Sequence, residues 1–267
     1  LAFKNCTVLN LEYSLPILSK SFFNLPKFGL HPTNKQLLSL KETMSSTDLI
    51  ISHMPNGLAI AKACAKYYSK PFIHVVHGTD LLTPNSLKIN CDYFAGLMSR
   101  SFALARQMKS LNIDTDGICF SGIKDDLIQT QFKSAKANKP INVISVCELL
   151  PLKNIDTVIK ALARISIKRD WFYQIVGEGP EKSQLIKLTK TLGIEHKIKF
   201  HGKLDRDKCL ELMRSSDVFA MPSAPETFGL AFLEAMASGC TVVGAENWGI
   251  DGIVKNGFNG FLSTPAC

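Results

Sequence analysis

The sequence predicts an α/β protein made of two doubly wound domains, each built on a parallel sheet. Three observations carry this. Short apolar runs alternate with stretches of helical period along nearly the whole chain, the pattern of parallel strands joined by crossover helices. The alternation comes as two series, separated by a polar, lysine-rich stretch at 121–140 that ends Lys136-Ala-Asn-Lys-Pro140 and reads as a linker. The 267 residues are 46% apolar and 20% charged, which is enough for two packed cores and too apolar for a disordered chain. The expected division is 1–138 and 139–267.

In the first series, 48–53 is a short apolar run and reads as a buried strand. Asn56-Gly57 breaks it, and 58–68 follows with helical spacing. The next strand is 71–77, with His77-Gly78-Thr79-Asp80 as its exit turn. A helix over 103–111 and a weak strand over 117–120 complete the series. In the second, strands are expected at 141–147, 171–176, 197–200, 217–221 and 241–244. Helices are expected at 155–167, 181–192, 205–215 and 229–237, with Asp205 placed to cap the third. In such folds ligands sit beyond the carboxyl ends of the strands, so residues just after strands carry the functional expectation.

Composition removes several function classes. No run of about 18 apolar residues lacks a charge, which excludes a membrane-spanning helix; the richest stretch, 228–245, is interrupted by Glu234 and Gly239. The chain opens Leu-Ala-Phe-Lys, with no visible signal peptide. Its eight cysteines are scattered, no two within four residues, as in buried thiols of a reducing cytosol rather than a disulfide or zinc framework. The net charge is +8. Residues 1–140 hold 16 Lys+Arg against 9 Asp+Glu, and residues 141–267 hold 15 against 14. A lysine-rich first half fits an anionic membrane surface or an anionic substrate. Nucleic acid is not expected, because arginine-rich runs and aromatic-basic interleaving are missing.

The strongest motif is Pro222-Ser-Ala-Pro-Glu226-Thr-Phe-Gly-Leu-Ala-Phe-Leu-Glu234-Ala-Met-Ala-Ser-Gly239. Glu226 falls in the loop after a strand and Glu234 inside the following helix. The stretch from Thr227 to Leu230 offers backbone N–H groups at a helix start, which with the helix dipole favour a phosphate. At about 1.5 Å per residue, eight helical positions span roughly 12 Å, about the reach from a sugar across a diphosphate to a ribose. One carboxylate then accepts hydrogen bonds from sugar hydroxyls and the other from ribose hydroxyls. Gly177-Glu-Gly179 is a weak dinucleotide signal, because Lys182 stands where the third glycine belongs. His74 and His77 are three apart on a strand and point to opposite faces, so they do not form a zinc pair.

These residues resemble a family. With Asn142-Val-Ile-Ser-Val-Cys147, Leu152-Lys-Asn-Ile-Asp156, Ile175-Val-Gly-Glu-Gly-Pro180, Phe200-His-Gly202, Asp217-Val-Phe-Ala-Met-Pro-Ser223 and Asn256-Gly-Phe-Asn-Gly-Phe-Leu262, the second half resembles the donor domain of retaining glycosyltransferases of the GT-B fold, family 4. The first half resembles the family through 48–55, Lys70-Pro-Phe-Ile-His-Val-Val-His-Gly-Thr-Asp80 and Ser121-Gly-Ile123. The resemblance implies two Rossmann-like domains facing a cleft, the first on the acceptor side and the second holding a nucleotide-sugar donor. It implies that Glu226 contacts the donor sugar and Glu234 the ribose. Phe228, Gly229 and Leu230 present amides to the diphosphate, Lys153 neutralises that group as it leaves, Gly202 and Lys203 lie beside the base, and His77 faces the donor across the cleft. Lys153 and a helix N-terminus stabilise the leaving phosphate electrostatically, so no metal and no cofactor is expected.

The resemblance also marks departures. Cys147-Glu148 stand where the family has Gly-Arg, Gly252 where an acidic residue is usual, and Trp248-Gly249 where Gly-Gly is usual. Both ends are expected to be incomplete. Residues 1–47 show no glycine-rich loop, and the chain stops at Ser263-Thr-Pro-Ala-Cys267, before the helices that close the family's second domain. The implied activity is transfer of a hexose or similar sugar, with retention, to a hydroxyl of a glycan or lipid-linked acceptor in polysaccharide biosynthesis. The implied place is the cytoplasm, at the inner face of a membrane. The alternative is a non-catalytic module that binds nucleotide or glycan without turnover.

Overall fold

The structure, a computed structural model, describes residues 32–128, 139–165 and 170–265. The first unit contains α1 (Asn34–Ser39), α2 (Lys41–Ser45), β1 (Ile50–His53), α3 (Met54–Tyr68), β2 (Phe72–Val76), β3 (Phe94–Ser99), α4 (Phe102–Ser110) and β4 (Gly117–Ile118). Its strands pair in parallel in the order β1-β2-β3-β4. Leu58 and Ala65 of α3 and Leu104 and Met108 of α4 close over Phe72, Val76 and Leu97 of the sheet to make its core.

The second unit contains β5 (Ile141–Val146), α5 (Ile155–Ile165), β6 (Trp171–Val176), α6 (Lys182–Thr191), β7 (Ile198–Gly202), α7 (Arg206–Ser215), β8 (Val218–Ala220), α8 (Leu230–Ala237), β9 (Thr241–Ala245) and β10 (Gly260–Ser263). Its six parallel strands lie in the order β10-β9-β8-β5-β6-β7. Both faces are covered. Ile155, Val158, Ile159 and Leu162 form the apolar stripe of α5 and pack with Val143 and Tyr173 on one face. Met213, Phe232 and Ala235, from α7 and α8, pack with Ile144 and Phe219 on the other. Adjacent residues of β5 therefore enter opposite cores, which is why the strand reads as an unbroken apolar run. Asp205 caps α7 as expected, its Oδ1 accepting from Lys208 N at 2.8 Å.

This order places the site. From β5 the chain winds outward through β6 and β7, then returns to the other side of β5 as β8 and winds the opposite way. The crevice of such a sheet opens at that reversal, beyond the carboxyl ends of β5 and β8. The loops leaving those two ends carry Lys153 and Glu226.

Four elements were not expected from sequence. Strand β3 contains Gly96, whose missing side chain leaves room for Asp116, so its six residues lack the dense apolar run of its neighbours. Strand β10 sits at the sheet edge with Phe261 51% exposed. Helices α1 and α2 are six and five residues long, too short to show a helical period. Residues 129–138 of the expected linker, including the expected domain boundary, lie outside the described residues, as do residues 1–31, the last positions of the helix expected over 155–167, and 266–267.

Candidate functional site

The loops after β5 and β8 are stitched together. The first makes a single helical turn, Pro151–Lys153, and Asn154 Nδ2 then donates to Pro222 O at 2.8 Å. In return Ala224 N donates to Leu152 O at 2.9 Å. These contacts bring Lys153 Nζ to 2.7 Å from Glu226 Oε2. The carboxylate also accepts from Ser223 Oγ and from Thr227 N, both at 3.1 Å. The Lys153 and Glu226 side chains remain 18% and 15% exposed, so the pair is held in place yet reachable.

Immediately beyond, α8 begins. Its N-cap is Gly229, so no side chain caps it. The N–H groups of Phe228, Gly229 and Leu230 have no acceptor among the described residues. Three unpaired donors at the positive end of a helix form a place for an anion.

The first domain faces this point with histidines. His77 follows β2, and its Nε2 lies 3.1 Å from His53 Nδ1. A buried chain fixes the His77 turn: Ser52 Oγ to His74 Nδ1 at 2.9 Å, His74 Nε2 to Asp80 Oδ1 at 3.1 Å, and His77 N to Asp80 Oδ2 at 2.7 Å. His74 is fully buried and His77 borders the cleft, the opposite orientations expected for residues three apart. Burial, reinforced by the nearby charge of Arg100, holds both His53 and His77 below their ordinary 6.5. Both imidazoles are therefore neutral at pH 7.

The two domains touch around a cleft of about 320 Å³, bordered by His77, Arg100, Lys153, Glu226, Phe228 and Leu230. Gly78 N donates to Thr227 Oγ1 at 3.2 Å, Gln107 Nε2 to Asn247 O at 3.1 Å, and Arg106 pairs with Asp251 at 2.6 Å. Phe120 bridges Phe102 and Phe228, with ring centroids 5.2 and 6.1 Å away.

Six of the nine expected site residues therefore border one cleft: His77, Lys153, Glu226, Phe228, Gly229 and Leu230. The other three lie outside it. Glu234 sits along α8 and pairs with Arg206 at 2.7 Å. Gly202 ends β7, with its carbonyl accepting from Gly177 N at 2.8 Å, and Lys203 beside it is exposed. Arg206 opens the helix that follows Lys203, so this group runs from the cleft toward the β7 edge of the sheet. Sequence reasoning missed Arg100. It is one of two arginines in residues 1–140, and it directly follows the unexpected strand β3. The usable signal was an apolar run followed by Arg100 and the helix-capping Ser101.

The departures acquire physical reasons. Glu148 is exposed on the loop after β5 and does not border the cleft. Burial raises the Cys147 thiol beside it to about 12, so it is uncharged. Gly252 has φ +103, and a Cβ there would come within 2.6 Å of Phe102 Cβ, so contact with the first domain leaves no room for an acidic side chain. Two Asp-x-Asp pairs occur, Asp114-Thr-Asp116 and Asp205-Arg-Asp207. Asp116 Oδ2 accepts from Leu97 N at 2.7 Å and Asp205 caps α7, so one carboxylate of each pair is committed to the fold. Among the described residues no group of three His, Cys, Asp or Glu is placed to hold a metal, and no helix is long and apolar enough to cross a membrane.

Comparison with known proteins agrees with this geometry. A family model described as glycosyl transferases group 1 matches residues 128–266. The chain is 32% identical to the N-acetyl-alpha-D-glucosaminyl L-malate synthase of Bacillus anthracis, over 91% of this chain and 67% of that protein. It is 30% identical to the sulfoquinovosyl transferase SQD2 of Arabidopsis thaliana, over 73% of this chain and 36% of that protein. Among solved structures, Anabaena Alr3699/HepE in complex with UDP superposes with a TM-score of 0.71 at 23% identity, covering 86% of this chain and 68% of that one. The apo lipopolysaccharide outer core galactosyltransferase WaaB gives 0.70 at 22% identity, covering 86% and 65%. These two likenesses show the GT-B fold. Sequence match, sheet order and switch-point loops agree that the chain belongs to the group 1 glycosyl transferases.

Proposed function

We propose that this chain transfers a hexose or similar sugar from a nucleoside diphosphate donor to an acceptor hydroxyl, with retention and without a metal. The observation that carries the reading is the convergence of Lys153, Glu226 and the three unpaired amides of Phe228, Gly229 and Leu230 at the switch point. When the bond from sugar to phosphate breaks, negative charge grows on the phosphate oxygen. Preorganised donors aimed at that charge stabilise the transition state. Lys153 and the amides take this role, and the cations of the cleft do the work that a divalent metal does elsewhere. Glu226 accepts from sugar hydroxyls, and neutral His77 accepts or donates one hydrogen bond on the acceptor side. Glu234 takes the ribose hydroxyls, exchanging its bond with Arg206, and Gly202 and Lys203 border the base.

The acceptor is a glycan or lipid-linked hydroxyl, and the lysine-rich first half docks on an anionic membrane at its cytoplasmic face. A liposome-binding series against anionic lipid fraction tests the docking, and no dependence on lipid charge refutes it. The transfer itself is tested by incubating the chain with UDP, GDP and ADP sugars, with and without Mg²⁺, and measuring nucleoside diphosphate release and thermal stability. Stabilisation by one diphosphate without Mg²⁺, lost in Glu234→Ala, with release of that diphosphate, supports the reading. The anomeric configuration of the product, read by NMR, tests retention. Stabilisation with no release from any donor would instead identify a module that binds nucleotide without turnover.

A further inference from the structure

The charge of the cleft does not come from where the motifs are densest. Lys153 is already paired with Glu226 at 2.7 Å, so that pair carries no net charge. His53 and His77 are neutral at pH 7. Arg100 is different. Its guanidinium, always protonated, has no carboxylate partner among the described residues. Nη1 donates to Cys119 O at 3.2 Å, Nη2 donates to Ser121 Oγ, and the guanidinium carbon stands 5.8 Å from the centre of the Phe228 ring. These three contacts hold the planar group in one orientation. It borders the same cleft as the amides of Phe228, Gly229 and Leu230. A half-buried, oriented cation without a counter-charge, beside the positive end of a helix, is a place prepared for an anion.

We propose that Arg100 is a diphosphate-binding residue, supplied by the first domain, and that it provides the net positive charge of the donor site. This rests on the donor reading above. A monophosphate held by the α8 amides uses little of Arg100, whereas the second phosphate of a diphosphate brings the extra negative charge that Arg100 neutralises. Arg100 therefore sets the preference for diphosphate over monophosphate.

The test is calorimetric titration of the whole chain, without acceptor. UDP, GDP and ADP are each run against the corresponding monophosphate, and the pair that binds is carried into variants. Arg100→Ala and Arg100→Gln are each expected to lose about 10- to 100-fold in diphosphate affinity, with monophosphate affinity kept within about 3-fold. Arg100→Lys keeps the charge without the fork and recovers part of the loss. Ser121→Ala removes one of the three contacts that orient the guanidinium and is expected to lose less diphosphate affinity than Arg100→Gln, with monophosphate affinity again kept. Thermal unfolding without ligand identifies any variant that has lost its fold; Arg100→Gln keeps more of the side chain's length and polarity and carries the test if Arg100→Ala does not fold. If the parent binds a diphosphate and the folded neutral variants bind it equally well, or lose both ligands in equal proportion, the role of Arg100 is overturned. If the parent binds no nucleoside diphosphate, the donor reading fails first and this inference falls with it.

Discussion

The two domains meet the cleft with opposite kinds of polar chemistry. The second contributes a lysine already neutralised by a glutamate, and a row of main-chain amides at the start of α8. The first contributes two neutral histidines and an arginine whose side-chain partners are a carbonyl and a hydroxyl. The groups of the second domain are fixed by stitches between two loops; in the first, a buried chain through Ser52, His74 and Asp80 fixes the His77 turn, and Cys119 and Ser121 hold Arg100. On the proposed reading, the second domain fixes where an anion lies, and the first sets how strongly the cleft attracts one. If that reading holds, catalysis needs both, because neither domain alone presents charge and geometry together.

The largest expected effect breaks the second domain's share. Lys153→Ala removes the ammonium that the proposal sets against the leaving phosphate and is expected to lower diphosphate release by about 10²- to 10³-fold, roughly 2.7–4 kcal/mol of transition-state stabilisation. Glu226→Gln sharpens the point, since it frees Lys153 from its partner. Turnover should fall because the sugar contact is lost, while affinity for the product diphosphate should rise, read by titration. A parallel fall in both would mean that Glu226 only positions Lys153.

Next in size is a purely structural break within the second domain. Gly177 opens the turn after β6 at φ +136, and a Cβ there would lie 1.8 Å from Cys147 O. Gly177→Ala is expected to cost about 3 kcal/mol or more from clash and strain, lowering Tm by about 6–12 °C for a chain of this size. Phosphate-site substitutions at Lys153, by contrast, should leave unliganded Tm within a few degrees. Thermal unfolding in parallel separates the two.

The same contrast governs what the sequence reveals. The second domain was nearly transparent. Strand β6 falls at its expected residues, β5 and β9 within one, and Asp205 caps α7 as anticipated. Its strands are buried on both faces, so their apolar runs are long, and its loops carry residues whose chemistry is distinctive. The first domain was opaque where it mattered. Its third strand holds a glycine packed against Asp116, which broke the pattern and hid Arg100 at its end. The residues that reach the cleft by following strands legible as apolar runs were found. What escaped was a side chain whose meaning comes from Phe228 and Ser121, far from it along the chain.

A pH titration probes the first domain's histidines. His53 and His77 are held below 6.5 mainly by burial. As pH falls through 6.5 the unfolded chain takes up these protons and the folded chain resists, so stability declines until the folded histidines also protonate. Tm measured from pH 8 to pH 5 should therefore drop on the acid side, and His53→Asn with His77→Asn should flatten the drop. His201 is also held low by burial, so His201→Gln is the control from the other domain. A decline that survives the double substitution and vanishes in the control moves the effect to the second domain.

The smallest effect tests the seam between the domains. Arg106 and Asp251 pair at 2.6 Å, but Arg106 is 49% exposed, so Arg106→Ala should cost only about 0.2–1 kcal/mol. Asp251→Ala should cost more, because Asp251 Oδ2 also accepts from Asn247 N at 2.6 Å and Asn247 O receives Gln107 from the first domain. Losing the carboxylate loosens the turn that holds two of the cross-domain contacts, whereas losing the guanidinium leaves that turn intact. Unequal Tm losses in the two single variants, with the double variant no worse than Asp251→Ala, would place the closure of the cleft in the Asn247–Asp251 turn rather than in the ion pair. Equal losses would return it to the pair.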